Sequence, residues 1–309
     1  MQTILGAGGA IGIELAKALP DYTKQIRLVS RNPEKVNDTD QLLVADLLNP
    51  EEVQKAVKGS DVVYLTAGLE YKSKVWEKQW PVVMRNVIDA CILNSAGLVF
   101  FDNVYMYAPH NLNPMTETHE IRPTSIKGKV RAHITKMLWD AVEKNGLEAL
   151  IARSADFYGP LMKKQSSFLV EGVVKPLHKG KKANWLGSDQ YKHSFTYTPD
   201  AGKATALLGN TPDAYGQTWH LPTAPNPPTG KEWVELIAAE LGKEPTYRVA
   251  TKTIVKVMGF FMPLMRESVE MLYQYNRDYV FDSTKFEKRF KVIPTSYAEG
   301  VKEVVSGLR

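Results

Sequence analysis

The chain has 309 residues, 44% of them hydrophobic and 24% charged, with a formal net charge of +5. This composition suits a water-soluble globular protein built as one large α/β domain with a smaller lobe, or as two domains. The mild basicity comes without any run of five or more Lys/Arg, which excludes the dense cationic stripe of a nucleic-acid binder. The short clusters Lys163-Lys164 and Lys179, Lys181-Lys182 read as solvated surface or as contacts for an anionic substrate. The single cysteine, Cys91, lies in an apolar helical pattern. It permits no disulfide framework and fits a reducing compartment. No charged segment leads an apolar stretch at the N-terminus, and the apolar residues 257–265 are too few to span a bilayer. The expected setting is cytoplasmic, with a small-molecule substrate, no membrane or nucleic-acid partner and no metal.

Residues 3–12 open the chain's organisation. A short apolar run meets a glycine-rich turn, and Ala10 and Ile11 begin a segment of helical period. Gly6, Gly9 and Gly12 stand three apart. Gly6 permits a tight turn, Gly9 lets backbone approach a pyrophosphate, and Gly12 lets helix pack close on strand. The helix start offers free N–H groups and the positive end of its dipole to a phosphate. The spacing differs from the commoner G-x-G-x-x-G, so its weight comes from the strand–helix alternation that follows.

Residues 25–31 read as a second strand, stopped by Asn32-Pro33, and residues 41–47 as a third. Residues 50–58 read as a short helix and 61–68 as a fourth strand, nearly all apolar. Val83, Val87, Ile88, Cys91 and Ile92 give helical spacing to residues 77–94, before a fifth strand at 98–101. Residues 127–145 carry a stripe of Val130, Ile134, Met137, Leu138, Ala141 and Val142, before a sixth strand at 147–152. Near-continuous apolar strands alternating with helices imply right-handed crossovers and parallel strands covered on both faces. The expected fold class is α/β: a doubly wound, Rossmann-like parallel sheet with a smaller C-terminal substrate lobe. Residues 1–160 would bind a dinucleotide. Residues 161–309 would be mainly the lobe, with some segments returning to the sheet. There the pattern suggests helices at 167–175, 199–208 and 230–241 and strands at 191–197 and 217–222. Residues 252–275 are largely helical and amphipathic, which suggests a packing surface.

With these segments in place, the chain resembles the extended short-chain dehydrogenase/reductase superfamily, in its NAD-dependent epimerase/dehydratase branch, over nearly its whole length. The likeness rests on the glycine turn, on Ala45-Asp46-Leu47 after strand three, and on Thr66-Ala67-Gly68 after strand four. It continues in Arg153-Ser154-Ala155-Asp156-Phe157-Tyr158-Gly159-Pro160 and in residues 193–201. These motifs are specific for the fold and not for a reaction. The resemblance implies that Asp46 and Leu47 flank the adenine, and that Ala67 and Gly68 of the Thr66-Ala67-Gly68 turn line the cofactor's ribose and phosphates. The competing roles are a capping or turn carboxylate for Asp46 and a strand terminator for Gly68, with the position of both at carboxyl ends of strands favouring the cofactor.

The resemblance also implies a Ser or Thr near strand five and a Tyr with a Lys four residues later. None of the fourteen tyrosines has Lys four positions on. Lys127 and Arg131 hold the equivalent spacing, and Asn103 stands where the hydroxyl should be. Asn103 can donate a hydrogen bond but relays protons poorly. Like charge from Arg131 and partial burial would both make the Lys127 ammonium readier to release a proton, so that Lys127 is a candidate proton donor near neutral pH. The alternative is that Lys127 and Arg131 only hold ribose, phosphate or a substrate anion. Tyr105 and Tyr107 are candidate substitute acids, with packing as the competing role.

Strand two ends Leu28-Val29-Ser30-Arg31-Asn32-Pro33, with no carboxylate for the adenine ribose hydroxyls. Ser30 and the planar fork of Arg31 suit a 2′-phosphate, so NADP is the expected cofactor and NAD the alternative. The expected function is NAD(P)-dependent epimerase/dehydratase or reductase chemistry on a small polar carbonyl or alcohol, such as a sugar derivative. The competing reading is an NADP-binding sensor without redox catalysis. The helices at 77–94 and 127–145 correspond to those that pair in dimers of the family, so a homodimer is expected.

Overall fold

The computed structural model describes residues 1–160 and 167–308. The Lys163-Lys164 cluster lies outside the described residues. The chain forms two compact units. Met1–Met106, Lys127–Ser154 and Pro199–Leu221 make the first, while Tyr107–Ile126, Ala155–Thr198 and Pro222–Arg309 make the second.

The first unit is built on a seven-stranded parallel sheet. Its strands are β1 (Gln2–Leu5), β2 (Ile26–Ser30), β3 (Gln41–Val44), β4 (Val62–Leu65), β5 (Gly97–Asp102), β6 (Ala149–Arg153) and a last strand, Thr218–His220. From one edge the order is last strand, β6, β5, β4, β1, β2, β3. The order therefore reverses at β1, where Leu5 pairs with Val29 of β2 on one side and Leu65 of β4 on the other. In such a sheet a crevice for ligand opens at the carboxyl ends of the two strands flanking the reversal.

Helices α1 (Ala10–Ala18), α2 (Pro50–Val57), α3 (Ser73–Asn94) and α4 (Ile126–Asn145) belong to the crossovers. α2 starts under an Asn49 cap, whose side chain accepts the Glu51 N–H at 3.0 Å, with Pro50 at the first helical position. Val53, Val57, Val83, Val87, Leu98, Phe100, Ile134, Leu138 and Ile151 join one core cluster, and the strands are apolar on both faces because both are covered. Cys91 is fully buried there, and burial pushes its thiol up to about 12. β3 departs from the apolar expectation: Leu42 and Val44 are exposed because β3 is the sheet's outer strand. The helix Thr198–Gly209 and the strand after it belong with this unit, and that strand pairs with β6.

The second unit has short elements around an aromatic core. Strand Asp156–Tyr158 pairs with Phe195–Tyr197, and Ala183–Leu186 pairs with Tyr247–Ala250. The strand expected at 191–197 is shortened to its last three residues. His193 instead lies stacked between the rings of Tyr275 and Tyr279, at 4.4 and 4.3 Å. Its Nε2 meets Asp156 Oδ2 at 3.1 Å, and the Tyr275 hydroxyl donates to the same oxygen. Helix Gly230–Leu241 carries a full capping box between Thr229 and Glu232. No helix among the described residues is long and apolar enough to cross a membrane.

Gly6 decides how the crevice closes. It holds φ at +100°, and a side chain there would run into the backbone of Ala67, with Thr66 C at 2.9 Å. Gly12 is similarly confined: its Cβ would stand 2.8 Å from Gly6 O and 2.9 Å from Ala7 Cα. Gly6→Ala is expected to cost about 2–5 kcal/mol through left-handed strain and overpacking. Gly8, with nothing within 4 Å, should accept Ala within about 0.5 kcal/mol. Thermal or denaturant melts of the two variants compare them directly.

Candidate active site

The site candidates in the first unit gather at the carboxyl ends of the central strands. Gly9 is the N-cap of α1, with no side-chain cap and no acidic residue in the first turn. The first-turn N–H groups are thus offered to a ligand instead of to the protein's own side chain. Nothing would meet a Cβ at Gly8 or Gly68 within 4 Å, and Gly9 would meet only Gly6 O at 3.6 Å. The turn therefore leaves an open, backbone-lined cradle beside the closely packed Gly6 and Gly12. Thr66 turns its hydroxyl inward, toward Leu5 O at 3.3 Å.

At the end of β2, Ser30 is half-buried and Arg31 exposed. Ser30 Oγ accepts the Asn32 N–H at 3.2 Å. Past β3, Asp46 Oδ1 accepts the Leu48 N–H at 3.0 Å, while the Asp46 N–H donates to Glu52 Oε2 at 2.7 Å. Asp46 is thus part of the turn that leads into α2, and Leu47 beside it is half-buried.

α4 carries two cations inward. Lys127 and Arg131 precede Ile134 and Leu138 on its buried stripe, and Lys127 has no exposed surface. The Lys127 ammonium donates to Ser73 Oγ at 2.9 Å and lies 4.4 Å from the centre of the Tyr71 ring. Ser73 is half-buried at the start of α3. Arg131 goes elsewhere. Its Nε donates to Asp102 Oδ1 at 2.7 Å, and its guanidinium lies 4.6 Å from the Trp80 ring and 4.9 Å from that of Phe100. Asp102 Oδ2 accepts from Arg153 Nη2 at 3.0 Å. One fully buried carboxylate therefore joins two buried guanidinium groups at the ends of β5 and β6.

Asn103 continues from this cluster. Its N–H donates to Asp102 Oδ1 at 2.8 Å, and its side-chain oxygen accepts the Tyr105 N–H at 3.0 Å. The carboxamide NH2 is the donor that this turn leaves for other uses. The half-buried Tyr105 stacks on Trp76 at 6.1 Å and 19°. Tyr107 belongs to the second unit, where it is buried and bridges Ile121. Sequence reading missed Ser73, Tyr71 and the pairing of Asp102 with Arg131 and Arg153. The available signal was the polar register itself: positions 127 and 131 head the stripe of Ile134 and Leu138, so both cations must point inward.

This is the architecture of a nucleotide-binding sheet with its phosphate turn at the reversal point. The model of the NAD dependent epimerase/dehydratase family matches residues 3–221, and the chain belongs to that family. Three solved structures illustrate the likeness. UDP-glucose 4-epimerase from Thermus thermophilus, in complex with NAD, is 17% identical, with full coverage of this chain, 99% of that one and a TM-score of 0.80. A double mutant of the dTDP-glucose 4,6-dehydratase DesIV from Streptomyces venezuelae, with NAD bound, is 16% identical, with 100% and 97% covered and a TM-score of 0.81. UDP-glucuronic acid 4-epimerase from Bacillus cereus, in complex with NAD, is 16% identical, with 100% and 98% covered and a TM-score of 0.80. At these identities the structures establish the shared fold. No curated protein matches the sequence.

Replacing Asp102 by Asn would take the shared buried carboxylate away from Arg131 and Arg153. The variant is expected to lose about 3–5 kcal/mol of stability, measurable by denaturant unfolding. Asp140→Asn, which removes an exposed i,i+4 partner of Lys136, should change it by less than about 1 kcal/mol.

Proposed function

We propose that the chain binds a nicotinamide dinucleotide along the β1–β4 crevice and acts on a small polar carbonyl or alcohol, a sugar derivative being the favoured class. The open glycine cradle supports binding, since its free helix-start N–H groups suit a pyrophosphate. The observation that carries the catalytic reading is the buried pair of Lys127 and Ser73. When bound, the nicotinamide supplies hydride transfer. Ser73 Oγ then hands a proton to a substrate oxygen and regains one from Lys127 Nζ, in the manner of a hydroxyl–amine relay. Lys127 has no exposed surface, so Ser73 acts as the outward member. Asn103 orients a carbonyl through its NH2 group. Arg131, engaged by Asp102, positions α4 and takes no proton. Lys127→Met should lower kcat at least about a hundredfold with unchanged cofactor affinity, followed as NAD(P)H oxidation across a panel of carbonyls that includes oxo-sugar nucleotides. A parent that oxidises reduced cofactor with no member of the panel, yet binds it, would favour a cofactor-responsive sensor. The burial of Lys127 and the engagement of Arg131 support that second reading.

NADP(H) is the proposed cofactor. The end of β2 lacks an acidic side chain, and Arg31 is exposed beside the half-buried Ser30, which suits a 2′-phosphate. The named structural relatives were solved with NAD, so the assignment turns on this chain's own residues. Arg31→Ala should weaken NADP binding about 10- to 100-fold and leave NAD binding unchanged, as read by fluorescence titration.

A homodimer through α3 and α4 completes the proposal. Val82, Arg85 and His133 are exposed along these helices, beside a groove that also takes in Pro81, Asn86 and Met137. A twofold pairing would cover it. Light scattering at micromolar concentration should report twice the chain mass, and Val82→Glu should return the mass to that of a single chain.

A further inference from the structure

A run of exposed apolar side chains lies on one hairpin of the second unit, formed by the helices Lys252–Phe261 and Pro263–Ser268. Gly259 allows the close approach: a Cβ there would stand 3.0 Å from Arg266 Cα. Val255 and Gly259 face inward and are buried. The outward side exposes apolar side chains among cations and threonines, and its turn, Phe260 to Leu264, is wholly apolar. Ile254 is 45% exposed, Val257 54% and Leu264 56%, while Phe260 and Phe261 at the turn are each 84% exposed. Of the amphipathic residues 252–275, Val255, Met271, Leu272 and Tyr275 pack inward as the pattern suggests, whereas the apolar side chains of the hairpin's outer side are exposed.

Charge says what would cover it. From Pro245 to Arg266 there is no acidic residue, whereas Arg248, Lys252, Lys256 and Arg266 are all basic and exposed. The first acids, Glu267 and Glu270, come at the foot of the hairpin and are half-buried, with Glu270 accepting the Ile126 N–H at 2.6 Å. A protein partner's polar rim commonly calls for donors and acceptors of both signs. Along residues 245–266 the charged groups are cations alone, with Glu244 just before that stretch and Glu267 just after it. Two consecutive aromatic residues at a protruding turn, backed by lysines whose stems can lie along the apolar surface, match an element that rests in a lipid headgroup layer. Polybasic flanks add attraction to anionic lipid.

We propose that residues 252–266 form a peripheral docking element for an anionic phospholipid surface, entering it with Phe260 and Phe261 and holding it with Lys252, Lys256, Arg248 and Arg266. The element inserts only side chains, and the chain does not cross the bilayer. The test uses the purified full chain and sedimentation with phosphatidylcholine vesicles, with and without phosphatidylglycerol. The parent should partition onto the mixed vesicles, and partitioning should fall as salt rises. Phe260→Ser/Phe261→Ser and Lys252→Glu/Lys256→Glu should each reduce it at least about tenfold, with melting curves unchanged because the substituted side chains are exposed. Three results would overturn the proposal. One is no partitioning of the parent at physiological salt, and another is equal partitioning of parent and both variants. The third is a serine variant whose only change is a loss of self-association by light scattering, which would make the patch a contact between copies of the chain.

Discussion

Asp102 accepts from Arg131 and Arg153 at once. In doing so it joins β5, β6 and α4 at the end of the sheet where the candidate chemistry lies. An ionic cluster buried this deeply holds only if every charge keeps its partner. Its geometry therefore sets the rotation of α4 about its own axis. Lys127, one turn earlier, is turned inward by that setting and meets Ser73. Asn103 is aimed by the same carboxylate, through its N–H. The aromatic faces of Trp80 and Phe100 close over the Arg131 guanidinium and shield the cluster from water, which strengthens each of its contacts.

The two cations of α4 thus have different surroundings. Arg131 shares the buried Asp102 carboxylate and is part of the sheet's internal support. Lys127 has a buried ammonium and meets a hydroxyl at the start of α3. A guanidinium suits the first role because its planar fork can share a carboxylate while stacking on rings, and an ammonium suits the second because it is a compact donor of three protons.

The sheet, its order of strand and helix, and the glycine turn were legible in the sequence because they rest on short-range periodicity and on φ requirements at Gly6. The helix Gly230–Leu241 was legible to the residue, since its cap and its stop are both local signals. The partners of the cations were not. Ser73 is fifty-four residues from Lys127, and no local pattern ties them. The strand Asp156–Tyr158 is three residues long and exists through its pairing with a segment far along the chain. The outer strand β3 shows the opposite error: its apolar run reads as interior, but an edge leaves Leu42 and Val44 in solvent.

The first unit is assembled from three separate stretches of chain, the last of them Pro199–Leu221. Its seventh strand, Thr218–His220, hydrogen-bonds to β6, and the helix before it packs so closely on α1 that a Cβ at Gly202 would reach the backbone of Glu14. A ribosome therefore delivers the sheet's closing strand only after residues 155–198 of the second unit have emerged. The N-terminal part cannot mature as a finished domain while the rest is still being made, in contrast to the usual order of domain-by-domain folding. Nor does one cut anywhere in the chain release a complete nucleotide-binding half, so a dissection of this protein has to proceed by replacing the inserted stretches with linkers.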